Sequence, residues 1–216
     1  MARSQERSSL ATAIALSVLV FASGASATLI GVHDDRTISI ACSGGFGGCA
    51  IPRQTATPSA PFAAFDESRS GGAVAASQDS VFTATYLAGS GSISVSTAPL
   101  DISDAWSRYD VTFDVPVATP YELTGTISWL YAEGQIGVML FSGATMIYQQ
   151  DAANFAHSGV FEPGQYRLVA NASVGGWGVD QVSTYQFLLL IPEPHSALLL
   201  AGGLALLGYR RRLNSR

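Results

Sequence analysis

From Ser77 onward the sequence alternates with a period of two. Tyr109, Val111, Phe113, Val115 and Val117 take every second place, and Asp110, Thr112, Asp114 and Pro116 fill the gaps. Successive side chains of a strand point to opposite faces, so this stretch predicts a strand with one apolar and one acidic face. Asp110 and Asp114 are expected on the solvated side. Pro116 has no N–H to give to a ladder, so the strand is expected at a sheet edge or at its end there. Ile93, Val95 and Thr97 alternate with serines in the same way.

Further strands are expected at Glu122 to Tyr131, with Leu123, Ile127, Trp129 and Tyr131 facing the core, and at Gln135 to Ser142, with Ile136, Val138 and Leu140 facing it. Glu133-Gly134 between them suggests a tight turn joining an antiparallel pair. Ser142-Gly143 turns into Thr145 to Gln150, and Glu162-Pro163-Gly164-Gln165 has the order of a type II turn. Tyr166, Leu168, Ala170 and Ala172 then alternate with polar neighbours, and Ser183 to Ile191 forms a last strand. Seven to nine short strands are expected, with almost no amphipathic helix. The expected fold is therefore all-β, an antiparallel β-sandwich of jelly-roll-like arrangement over residues 77–191.

Residues 28–76 lack that period. They are rich in Gly, Ser and Pro, and Pro52, Pro58 and Pro61 argue against a helix or a central strand. One strand is expected, at Thr37 to Cys42, in a lead-in that wanders over the surface. Cys42 and Cys49 flank Ser-Gly-Gly-Phe-Gly-Gly, whose glycines let a small ring close. A disulfide is favoured over two free thiols or half of a metal site, since the chain has no further Cys and no His at zinc-site spacing.

Both ends carry a different grammar. Arg3 and Arg7 precede an apolar run from Leu10 to Phe21, followed by the small-residue cleavage pattern Ala25-Ser26-Ala27. Residues 1–27 are thus expected to be a secretory signal peptide, removed by signal peptidase to leave Thr28 as the first residue. At the other end, residues 192–216 hold Pro192-Glu193-Pro194, an apolar run from Ser196 to Tyr209, and Arg210, Arg211 and Arg212. The two prolines fix φ around Glu193 and hold the tripeptide extended. The apolar run spans about 21 Å as a helix, against a hydrocarbon core of roughly 30 Å. A short transmembrane helix is expected, held only transiently, with the arginines on the cytoplasmic side.

Charge narrows the function classes. All 11 basic residues are Arg, and residues 28–191 carry 14 Asp and Glu against 5 Arg. Such an acidic unit does not bind nucleic acid through a basic face. Without Lys there is no Schiff base, and no nucleophile elbow, zinc-protease helix or phosphate loop occurs. His33 and His157 are not placed beside a nucleophile and a carboxylate. No catalytic residue, metal ligand or cofactor is expected. Asp101 with Asp104, and Asp34-Asp35, are read as solvated charge rather than calcium ligands. Trp106, Tyr148, Trp177 and Tyr185 are aromatic candidates for stacking on a sugar ring; Trp177, between glycines in an expected loop, is the one most worth testing.

The ordered tail, with its Pro-Glu-Pro tripeptide, apolar run and arginine cluster, resembles the PEP-CTERM sorting signal of Gram-negative bacteria that make extracellular polysaccharide. That resemblance implies recognition and processing by exosortase, an integral-membrane enzyme. It implies an exported chain, anchored in the inner membrane with its ectodomain in the periplasm and then placed at the cell surface or in the extracellular matrix. The expected role is non-catalytic, structural or adhesive, with extracellular polysaccharide as a partner. A carbohydrate-binding module is the alternative, and an exported hydrolase the third.

Overall fold

The computed structural model describes residues 28–192, apart from 45–49, 73, 97–100, 131–135, 152 and 178–179. Residues 1–27, expected to be a signal peptide and holding Ala25 and Ala27, lie outside the described residues, as do Cys49, Glu193, Pro194, the apolar run and Arg210 to Arg212. Among the described residues no helix is long and apolar enough to cross a membrane. Thr28–Ile191 forms one compact unit.

The described residues hold thirteen strands and no helix. In chain order they are β1 (Ile30–Asp34), β2 (Thr37–Gly44), β3 (Ala50–Ala56), β4 (Phe65–Gly71), β5 (Val74–Phe82), β6 (Tyr86–Val95) and β7 (Asp101–Val115), followed by β8 (Thr119–Leu130), β9 (Ile136–Ser142), β10 (Thr145–Gln150), β11 (Ala153–Phe161), β12 (Gly164–Trp177) and β13 (Gln181–Leu190). They make two antiparallel sheets. One runs β10-β9-β12-β7-β2-β3, with β1 also on β7; the other runs β11-β8-β13-β6-β5-β4.

The alternating stretch found first in the sequence is the middle of the seven-stranded sheet. Tyr109, Val111, Phe113 and Val115 are all buried, as the period requires. The edge position suggested by Pro116 is not adopted. β7 pairs with β12 on one side and with β2 and then β1 on the other, and it ends at Val115, one residue before the proline. Pro116 therefore interrupts nothing.

Side chains from the two sheets meet between them. Tyr109 of β7 packs edge-on against Phe187 of β13, with ring centroids 4.7 Å apart, and Ser107 Oγ lies 3.1 Å from Tyr185 OH. Phe161 stacks on Tyr121 at 3.9 Å and reaches Tyr166 and Phe113. Room for Tyr185 and Phe187 comes from β6, where Gly89 and Gly91 face inward. A Cβ on Gly91 would come within 2.3 Å of Ser107 Oγ and 2.5 Å of the Tyr185 ring, and one on Gly89 within 2.8 Å of Phe187. Side chains at those two positions are thus incompatible with the aromatic core.

Several expectations are corrected here. Residues 28–76 are no surface lead-in: they supply β1 to β3 of one sheet and β4 of the other, with Ile38, Ile40 and Phe65 in the core. β3 and β4 are edge strands and so present little apolar alternation, which is why the period is faint there. Pro52 sits in β3, a place where an edge tolerates a missing N–H. Glu133-Gly134 does not join a hairpin, because β8 and β9 belong to different sheets. Trp129 is exposed at 53% rather than buried. β11 flanks β8 only as far as the Ala153–Ile127 pair, and at Trp129 β8 is paired by β13 alone. Residues 153–161, for which no strand is expected from the sequence, form β11.

Candidate functional site

The outer face of the seven-stranded sheet collects charge. Opposite charges two residues apart on a strand share one face, and among the described residues pairs at this spacing bind one another, two within strands and one across a strand junction. Arg69 binds Glu67 at 2.8 Å on β4, Arg108 binds Asp110 on β7, and Arg36 binds Asp34 across the junction of β1 and β2. Asp110 is no solvated charge: its side chain is almost wholly covered and receives hydrogen bonds from both Arg108 and Arg167, the latter from Nε at 2.7 Å. Burial pushes this carboxyl up, but the hydrogen bonds from Arg167 and Arg108 outweigh it and hold it below the ordinary carboxylate range. Nearby, Arg53 lies over the Trp106 ring at 4.4 Å and binds Asp104 at 2.8 Å, with both charges partly exposed.

The Asp34–Arg36 pair turns inward instead. Arg36 is fully buried and grips Asp34 with two bonds, from Nε at 2.7 Å and Nη2 at 2.6 Å. It also donates to the Ala63 carbonyl at 2.6 Å and to Ser80 Oγ at 3.1 Å. Asp34 accepts the Phe62 N–H at 2.6 Å. The pair therefore ties the first strand of one sheet to the 60–63 turn and to β5 of the other sheet. Asp34 is pulled upward by burial and further downward by Arg36 and the Phe62 N–H, so it stays ionised below the usual range.

The outer face of the six-stranded sheet is of another kind. In register across β8, β13, β6, β5 and β4 stand Thr126, Gln186, Ser90, Asp79 and Asp66, and beside them Ser128, Thr184, Ser92, Ser77 and Ser68. Ser77 and Ser92 share a hydrogen bond at 2.8 Å. Two hollows open on this face, of about 160 and 270 Å³. The smaller is lined by Asp79, Val81, Ala88, Ser90 and Gln186 among others, and the larger by Ser77, Ser90, Ser92, Thr126, Thr184 and Gln186. Ser90 and Gln186 line both, so the hollows adjoin along β6.

The residues singled out from sequence fall apart in space. Trp177 ends β12, in register with Ile102, instead of occupying a loop, and its side chain lies outside what is described. Tyr185 is core. Tyr148 stacks on His157 at 4.3 Å, joining β10 to β11. Cys42 is disulfide-bonded and buried; Cys49 is the chain's other cysteine. Pro192 is exposed just past the last core residue. Among the described residues no three His, Cys, Asp or Glu are grouped to hold a metal.

No family model matches the chain, and no curated protein matches it. Among solved structures, a GH31 alpha-xylosidase from Xanthomonas citri is similar at a TM-score of 0.25 and 8% identity, over 77% of this chain and 18% of that one. So loose a likeness carries no argument about fold or activity.

Proposed function

We propose that the chain is an exported protein, sorted through its C-terminal segment by an exosortase-type membrane enzyme, with a non-catalytic structural or adhesive role at the cell surface or in a polysaccharide matrix. The observation that supports this most is where the compact unit stops. Ile191 is buried and its N–H donates to the Thr85 carbonyl at 2.8 Å, whereas Pro192 is already exposed. The Pro-Glu-Pro tripeptide thus begins one residue after the last core side chain, where an enzyme can take it without unfolding the domain. The two packed sheets support a β-sandwich as the ectodomain. Their order, β6-β13-β8-β11 in one sheet and β7-β12-β9-β10 in the other, supports the jelly-roll-like arrangement, with β1 to β5 added beside it.

The sugar-binding alternative draws on the neutral hollows of the six-stranded sheet rather than on Trp177. The hydrolase alternative can draw on the carboxylate pair Asp66 opposite Asp79, and both are exposed on an open face. A general acid requires a more enclosed carboxyl. Replacing Glu193 by Ala, or the three terminal arginines by Ser, in the native host tests the sorting role. Accumulation of a longer, membrane-associated species supports it, and unchanged size and location of both variants contradict it.

A further inference from the structure

We infer that the groove along β6 on the outer face of the six-stranded sheet binds a neutral glycan chain lying parallel to that strand. This deepens the matrix role proposed above and rests on it for its biological setting, but the site is argued from the groove itself. The groove exists because β6 is thin on both sides. Inward it carries Gly89 and Gly91, and outward Ala88, Ser90, Ser92 and Ser94, while its neighbours raise Thr184, Gln186 and Leu188 on one bank and Asp79 and Val81 on the other. From Ala88 to Ser94 the floor runs about 20 Å at the rise of a strand, room for several pyranose rings in line.

The lining fits hydroxyl chemistry. Ser77, Ser90, Ser92, Thr126 and Thr184 each offer a group that donates and accepts, and Gln186 adds an amide with both functions. Sugar hydroxyls need that dual capacity. A peptide strand would seek free backbone N–H and C=O groups at a sheet edge, yet β6 is paired on both sides by β5 and β13. Charge decides between glycans. The larger hollow has no charged side chain in its lining, the smaller has Asp79 alone, and the unit around them carries an excess of nine negative charges. An anionic polysaccharide is repelled by that field, whereas a neutral one is not.

The test uses the full exported chain, purified in mild detergent, and titrates it calorimetrically with cellohexaose, maltohexaose and laminarihexaose, with a polyuronate as the charged arm. At least one neutral oligosaccharide is expected to bind and the polyuronate is not. Ser90→Ala with Gln186→Ala should weaken binding about tenfold, as the loss of two hydrogen bonds implies, and Ser92→Arg should abolish it. Trp177→Ala should leave it unchanged. Binding by none of the neutral chains, preference for the polyuronate, or equal affinity in wild type and the Ala pair would overturn the inference; so would a loss confined to Trp177→Ala. Release of reducing ends during titration would instead remove the non-catalytic role and leave the groove standing. A sorting failure is read separately, from the size of the chain.

Discussion

The two outward faces of this domain cover one shared core and have opposite chemistry. The seven-stranded sheet displays Arg53, Arg108 and Arg167, three of the five arginines in residues 28–191, each engaged with an aspartate. The six-stranded sheet displays serine, threonine and glutamine around a shallow groove. Core packing demands the same thing of both sheets, an apolar inner face, and leaves outward positions free. What stands there reflects other requirements. On the first face the charges bind one another and brace strands, so their chemistry is consumed internally. On the second, most of the hydroxyls remain open to solvent and to a ligand.

That contrast breaks most sharply at the buried ion pair. Asp34→Ala leaves Arg36 buried without its counter-charge and should cost about 3–5 kcal/mol of stability by urea unfolding. A loss below about 1 kcal/mol would mean that the pair does not tie the sheets together. Asp110→Ala comes next, at about 1–2 kcal/mol, since its two arginines are partly exposed and water compensates them in part.

Acid should discriminate the faces too. The carboxyls of Asp34 and Asp110 lie below the ordinary value in the folded state, so their contribution is fully present above about pH 4 and fades as pH falls below it through the folded values. Asp110→Asn should flatten that acid limb, and Ser90→Ala should leave it unaltered; thermal melts between pH 2 and pH 7 read both. Least affected are the substitutions at exposed or half-buried outer positions. Arg53→Ala is expected to change stability by less than about 1 kcal/mol, and Ser90→Ala or Thr184→Ala by no more than about 0.5 kcal/mol, so any effect of the latter on glycan affinity is not a folding effect.

Legibility in the sequence followed burial. β7 was plain because both its neighbours and the opposing sheet demand strict alternation, and Tyr109 to Val115 supply it. β4 was invisible because as an edge strand it buries Phe65 and little else, leaving Asp-Glu-Ser-Arg-Ser with no period. Trp129 kept the phase of a core residue where β11 no longer flanks β8 and β13 alone pairs with it, and phase alone carries no information about where a neighbour stops. Asp110 was misread because its partner Arg167 is 57 residues away across β12, although Arg108, two residues before it on the same face, was a readable signal. The groove was hidden in Gly89-Ser90-Gly91-Ser92, where glycine marks an inward slot for a distant aromatic ring and so does not register as hydrophobic. The proposed sorting role of Pro192-Glu193-Pro194, by contrast, rests on residue order alone, because an address read as an extended segment needs no fold.

The intact mass of the protein recovered from its native host bears most directly on this account. The expected chain begins at Thr28 and ends close to Pro192-Glu193-Pro194, without the apolar run and the arginines. A mass corresponding to a C-terminus at Arg216 would contradict processing at the tripeptide, and with it the transient role given to the last 25 residues.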